Sequence, residues 1–434
     1  MKRMNNLPKR KTVLATAAAG VAIATSLAGC SSSSGSSTTA GKSAVQVGII
    51  LPDEVTSPRW ANADQPALQA ECTKDKLSCD IQNAEDSDAN ELSIGNEMIN
   101  NEHVQVLLVA GVDPAPTETI TEEAEKAGIT VIDYDRAYGS GSYDPNYYVS
   151  FNGVTVGQDQ GTALVAAVKA KGFAKPDVAV IDGSQTDGNA VEFKQGYMSV
   201  LQPLFTAGTY KESGDTWTPN WTNSLAPQEF AAMYSKDKNI NTIMVANDGM
   251  ADAIIAYMQT NGIDPSKFVI SGQDSSALGL QDIMQGYQSF TIYKASTLEA
   301  VPSVDLAEDV INGQKPTSVD GYAIKSQSYS TTAGAVPSIL QTPQVITTSN
   351  VSIPVAANYT PYSSVCDTAA LVKLCTTDGI TAPTSGRRTP LEFPGRARTP
   401  PDRGRPRTAW IRARSGRAAG PPVPEPVGDL PRRT

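Results

Sequence analysis

The sequence predicts an α/β protein of two similar lobes, each a mostly parallel sheet flanked by helices. Three observations carry this expectation. Short β-branched runs alternate with helix-length stretches, the pattern of parallel α/β units. The alternation restarts after residue 151, which gives two halves. About 340 residues lie between the N-terminal segments and the Arg/Pro-rich C-terminal stretch, too many for one small core and suited to two domains of ordinary size.

The chain opens on Lys2, Arg3, Lys9, Arg10 and Lys11, followed by an uncharged apolar run from residue 13 to 28. This is the pattern of a secretory signal, and the run is short for a membrane span of about 20 residues. It ends Leu27-Ala28-Gly29-Cys30, which resembles the lipobox of bacterial lipoproteins. Residues 1–29 are therefore expected to be a signal peptide. Cys30 would be the lipidated first residue of the mature protein, and the Ser/Gly/Thr-rich stretch 30–43 a tether.

In the first half, strands are expected at 45–51, 79–83, 104–109, 130–134 and 147–151, with helices at 60–74, 89–100 and 116–127. The second half predicts helices at 154–171, about 190–201, 250–261 and 278–285. Its expected strands are 178–182, 242–246, 268–271 and 289–293. Cys72 lies close to Cys79, and Cys366 to Cys375. Two local pairs suggest two disulfides in an oxidising compartment, each worth roughly 2–3 kcal/mol, with free buried thiols as the alternative. A metal site is not expected, because the single histidine, His103, has no clustered partners, and no cofactor is implied.

Between Cys30 and Ser385, 18 Lys and Arg stand against 41 Asp and Glu, a surface unsuited to a nucleic-acid backbone. Residues 386–434 differ sharply, with 12 Arg, no Lys, 10 Pro and 4 acidic residues. Without apolar periodicity this segment is expected to stay disordered, and its composition also fits a GC-rich frame read out of phase.

In open parallel sheets, ligands bind beyond the carboxyl ends of the strands. Those ends carry Arg59-Trp60, Asp135-Arg136, Asp187 with Asn189, Trp217 and Trp221, Asn247-Asp248, Gln273-Asp274 and Tyr293-Lys294. The two arginines and three tryptophans found between Cys30 and Ser385 all belong to this set. Indole rings suit the C–H faces of a pyranose, while carboxylates, amides and cations suit its belt of hydroxyls. Four or five charge-assisted bonds of roughly 1.5–3 kcal/mol each would reach the roughly 8 kcal/mol of micromolar binding.

The strings Pro58-Arg59-Trp60, Tyr134-Asp135-Arg136, Gly214-Asp215-Thr216-Trp217, Ala246-Asn247-Asp248, Ser271-Gly272-Gln273-Asp274 and Thr291-Ile292-Tyr293-Lys294 together resemble the periplasmic D-xylose-binding family of type I sugar-binding proteins. The resemblance runs from about residue 45 to 338. It implies a type I periplasmic-binding-protein fold joined by a three-segment hinge, with crossovers near Phe151, Lys294 and Val319. The lobes would then be 44–150 plus 295–319, and 151–294 plus 320–380. By the same resemblance Arg59, Asp135, Arg136, Asp187, Asn189, Asn247, Asp274 and Lys294 would hydrogen-bond the sugar. Trp60 and Trp221 would stack on it, and Trp217 would support the pocket. Thr56-Ser57-Pro58 in place of a more charged lead-in, and Ala295 where a proline is usual, would reshape the pocket for another sugar.

The implied partners are a monosaccharide, an ABC transporter permease and the membrane through the lipid anchor, with the protein a monomer that binds no nucleic acid. Three other functions compete with uptake. A glycosidase would use Asp135 and Asp248 as paired carboxylates, but no nucleophile–base set or phosphate-binding Gly-rich loop accompanies them. A receptor presenting its sugar to a membrane sensor would use the same closed form. A transcription regulator would need a DNA-binding head where this chain has a signal peptide.

Overall fold

The computed structural model describes residues 44–382, except 55, 140–142 and 330. Cys30, its tether and the Arg/Pro-rich segment lie outside the described residues. The first half runs β1 (Val47–Leu51), α1 (Gln65–Asp75), β2 (Cys79–Asn83), α2 (Asp88–Glu97), β3 (Val106–Val109), α3 (Pro114–Lys126), β4 (Thr130–Tyr134) and β5 (Tyr147–Phe151). Strand β1 is buried along its whole length, and its continuous apolar run suits a parallel strand covered on both faces. One wide helical turn, Trp60–Asp64, leads into α1, so the expected 60–74 helix is two segments.

Next come α4 (Gly153–Lys171), β6 (Asp177–Asp182), α5 (Gly188–Thr206), β7 (Lys211–Trp217), α6 (Ala226–Lys236), β8 (Thr242–Val245), α7 (Asp248–Thr260), β9 (Val269–Ile270), α8 (Ala277–Gln285) and β10 (Thr291–Tyr293). The second sheet orders as β7-β6-β8-β9, all parallel, over a core that includes Val180, Phe193, Tyr197, Phe230 and Ile254. Helices α4 and α5 cross in near backbone contact. A Cβ on Gly157 would lie 2.0 Å from the Phe193 carbonyl oxygen, and one on Gly196 would lie 2.3 Å from that of Val154. This crossing fixes the start of α5, where Asp187 and Asn189 sit.

The remainder is α9 (Thr297–Ile311), β11 (Ser318–Val319), β12 (Tyr322–Ala323), β13 (Lys325–Ser328), β14 (Ala335–Gln341), β15 (Gln344–Ile346), α10 (Ser352–Ala356), α11 (Tyr362–Val365) and α12 (Ala369–Thr377). The first sheet orders as β13-β14-β5-β4-β3-β1-β2 and is parallel except where β13 meets β14. Here the expected third crossover near Val319 is corrected. Strand β14 stays in the first sheet, with Ser338 opposite Tyr148 and Gln341 opposite Phe151. The chain crosses between Gln341 and Gln344, where β15 pairs antiparallel with β10. The physical reason is burial: Val336 and Ile339 of β14 are covered, whereas β11 and β12 form a hairpin turning through positive φ at Asp320 and Gly321.

Residues 352–380 pack on α8 through Leu280, Ile283, Val365 and Cys375. Cys72 is bonded to Cys79, and Cys366 to Cys375. Among the described residues no helix is long and apolar enough to cross a membrane.

Candidate functional site

The carboxyl ends of the two sheets face one another across a cleft, and all ten residues singled out as sugar ligands line one cavity there. Arg59, Trp60, Asp135 and Arg136 come from the first sheet's loops, and Asp187, Asn189, Trp221, Asn247 and Asp274 from the second's. Lys294 stands where the chain crosses back after β10. Thr56, Ser57, Gln273 and Phe193 complete the lining; Gln273 stands among the strand-end residues and Thr56-Ser57 in the lead-in named from the sequence, and Phe193 was not foreseen. Phe193 follows Asn189 by four residues on α5, so helical spacing is the signal that could have found it.

Arg59 is nearly saturated. Its Nε donates to Asp64 Oδ2 (2.8 Å), Nη2 to Asp64 Oδ1 (2.6 Å) and to Glu299 Oε2 (2.5 Å), and Nη1 to Asp135 Oδ2 (2.7 Å). A guanidinium has five N–H groups, so one remains for a ligand. Tyr134 also donates its hydroxyl to Asp64 Oδ1 (2.5 Å). Burial pushes Glu299 well above the ordinary carboxyl range; Arg59 opposes this, while the Asp135 and Asp64 carboxylates add to it. Burial also pushes Asp135 upward, but Lys294, Arg59 and Arg136 outweigh it and hold the carboxyl well below its usual range.

Asp135 adopts a left-handed backbone, φ 65°. Its carbonyl oxygen accepts from Tyr148 Oη, Ser150 Oγ and Asn189 Nδ2, each at 2.8 Å. Asp274 (φ 93°) and Trp221 (φ 52°) are likewise held in sparsely populated conformations, which cost of order 1–3 kcal/mol each and persist where surroundings over-determine them. The Trp221 ring lies against Gly183, where a Cβ would come within 2.2 Å of it, and its Nε1 donates to Asp187 Oδ2 (2.9 Å).

Two site residues also start helices. Asp187 Oδ1 accepts from the Asn189 backbone N–H (2.9 Å) at α5, and Asn247 Oδ1 accepts from Met250 N–H (3.0 Å) at α7. Such caps stabilise by about 1 kcal/mol and hold each side chain in one rotamer. Trp60 carries the guanidiniums of Arg59 and Arg136 over its ring, 4.6 and 5.5 Å from the centroid. Trp217 is outside the lining and packs beneath Lys194, 4.5 Å away.

The lobes meet across the cleft. Arg136 Nε lies 3.2 Å from Asp187 Oδ2, Ser57 Oγ donates to Asp274 Oδ2 (2.9 Å), and Thr186 Oγ1 donates to Asp113 Oδ1 (2.9 Å). The enclosed space is about 30 Å³, against roughly 300 Å³ or more for small-molecule pockets generally. A ring therefore enters only when these pairs part. Trp60 Nε1, Gln273 Oε1 and Asp274 Oδ1 are buried with no hydrogen-bond partner among the described residues, and Lys294 Nζ stands 3.7 Å from the last. Buried polar atoms are normally satisfied, so these three mark where ligand groups would bond.

Asp248, weighed as a partner carboxylate for Asp135, does not line the cavity. It accepts from Gln288 Nε2 (2.8 Å), Ser276 N–H (2.8 Å) and Thr291 Oγ1 (3.1 Å), and burial raises its pKa to about 7. His103 closes the turn Met98–Glu102 with φ 53° and is likewise outside the lining.

Residues 47–315 match the family model described as the periplasmic binding protein domain. The D-xylose-binding periplasmic protein of Escherichia coli (strain K12) is 31% identical over 275 residues, covering 63% of this chain and 79% of that protein. The multiple sugar-binding periplasmic receptor ChvE of Rhizobium radiobacter is 28% identical over 319 residues, 70% of this chain and 87% of that one. Among solved structures, an ABC transporter solute binding protein from Clostridium phytofermentans with bound β-D-glucose superposes with a TM-score of 0.65. It is 22% identical and covers 74% of this chain and 99% of its own, a likeness of fold. The two α/β lobes, the cleft between their strand ends and these matches together show that the chain belongs to the periplasmic binding protein family that includes the D-xylose-binding periplasmic proteins.

Proposed function

We propose that this chain is an extracytoplasmic receptor without enzymatic activity that closes its lobes on a sugar and delivers it to an ABC importer. One observation carries the reading: ten residues scattered from Arg59 to Lys294, assigned to a sugar by resemblance, line a single cleft cavity. Arg136, Asp274 and Lys294 supply charge-assisted bonds to hydroxyls, and Trp60 and Trp221 cover the ring. The relatives named for D-xylose and for multiple sugars make aldoses the first ligands to test. Lipidation at Cys30 would hold the receptor at the outer face of the membrane, and Cys30→Ala would release it without altering sugar affinity.

A thermal-shift screen of the mature protein against pentoses, hexoses and polyols tests the reading. A ligand at 100 times its Kd adds about 2.7 kcal/mol, so a binder raises Tm by several degrees. A panel that leaves Tm unmoved throughout contradicts it.

A further inference from the structure

Asn189, at the start of α5, reaches across the cleft to the turn that follows β4 in the first lobe. Its Nδ2 donates to the Asp135 carbonyl oxygen (2.8 Å) and to Asp135 Oδ1 (3.1 Å), so one residue takes both amide hydrogens. Its Oδ1 lies 3.2 Å from Tyr148 Oη, which also donates to the Asp135 carbonyl at 2.8 Å. The first lobe thus presents a socket fitted to a primary amide, with two acceptors for its N–H groups and a hydroxyl for its oxygen. An amide turned by half a revolution would set its oxygen against the Asp135 carbonyl and carboxylate, so the socket selects one orientation.

Tyr148 stands on β5, three residues before that strand ends at Phe151. It is 2% exposed and lies outside the lining of the sugar cavity. Two neighbours fix its place. The Asp135 N–H donates to the Val149 carbonyl (2.9 Å), which holds the turn beside β5, and the Tyr148 ring meets that of Tyr329 edge-on with centroids 4.8 Å apart. Burial pushes the Tyr148 pKa well above its ordinary value, and the Glu192 and Asp135 carboxylates add to this, so the hydroxyl stays a donor. Packing needs only the ring. The hydroxyl is aimed at acceptors in both lobes.

We propose that Tyr148 is a positioning residue for sugar binding, whose hydroxyl seats the Asn189 amide against Asp135 and so holds the closed form on its ligand. The proposal rests on the sugar-binding reading and deepens it. Tyr148 acts through Asn189 and Asp135, which line the cavity where it does not. Because Asn189 and Tyr148 belong to different lobes, their bond forms on closure, and its loss speeds release of the sugar and leaves encounter unchanged.

Stopped-flow kinetics and calorimetric titration of wild type, Tyr148→Phe, Asn189→Ala and the double variant, with the sugar selected by the thermal-shift screen, test this. Tyr148→Phe removes a single oxygen, and koff should rise about tenfold while kon stays within about twofold. In the Asn189→Ala background the same change should cost less than about threefold, because the bond it removes is already gone. A tyrosine that served the fold alone would cost the same in both backgrounds. Asn189→Ala by itself should also act on koff and spare kon, which keeps the socket testable should Tyr148→Phe fail to fold. A folded Tyr148→Phe with unchanged koff, a loss confined to kon in either single variant, or equal losses with and without Asn189 would overturn the proposal and leave the sugar reading standing. If no sugar binds the wild type, both fall.

Discussion

Arg136 and Asp187 meet across the cleft, Nε to Oδ2 at 3.2 Å, joining the end of β4 to the start of α5. Each is thus poised either to bond a ligand or to hold the lobes together. Asp187→Ala removes this tie and the acceptor for Trp221 Nε1. The unliganded variant should populate a more open form, seen as a larger radius of gyration in small-angle scattering. Sugar affinity should fall by about 2 kcal/mol, roughly 30-fold. Scattering identical to wild type would show that the pair does not hold the cleft.

Glu299 tests the charge balance around Arg59. If burial keeps it protonated, glutamine is close to isosteric with the group present, and Glu299→Gln should lie within about 0.5 kcal/mol of wild type in urea denaturation. Glu299→Ala deprives the Arg59 Nη2 of an acceptor in a site closed to water and should cost about 3 kcal/mol. Equal losses for both variants would mean that the ionised carboxylate is the form Arg59 requires.

The pH dependence of stability follows from carboxyls whose pKa burial has raised: Glu91 to about 7, Asp182 to about 8 and Asp248 to about 7. In the unfolded chain such groups titrate near 4. Their contribution is complete below that value and is lost as pH rises through 7 to 8, because the folded state then holds protons the unfolded state has released. Tm should therefore be at least about 5 °C higher at pH 5 than at pH 8, at roughly 2–4 °C per kcal/mol. A Tm that is flat or rising over that interval would contradict the assignment.

The strand ends were legible because β-branched runs such as Val47–Leu51 mark the strands, and polar or aromatic residues at their carboxyl ends have no packing role to play in a sheet. Asp64 and Glu299 were not, since an acid within a helical stretch looks like a solvated face until the tertiary fold buries it against Arg59. Strand β7 escaped the sequence pattern because its KESGDTW run is polar and occupies a sheet edge. The third crossing was displaced because β13 and β14 lie where the resemblance thins, and the β11–β12 hairpin turn falls where a crossing was expected.

Arg136 and Asp274 carry the central claim, since they come from opposite sheets and line one cavity. Calorimetric titration of wild type, Arg136→Ala and Asp274→Ala with the sugar selected by the screen is the most direct test. The wild type should bind it, and each variant should be weaker by about 2–4 kcal/mol, roughly 30- to 1,000-fold in Kd. Variants that remain folded and bind within threefold of wild type would place both side chains outside the binding site and contradict the account.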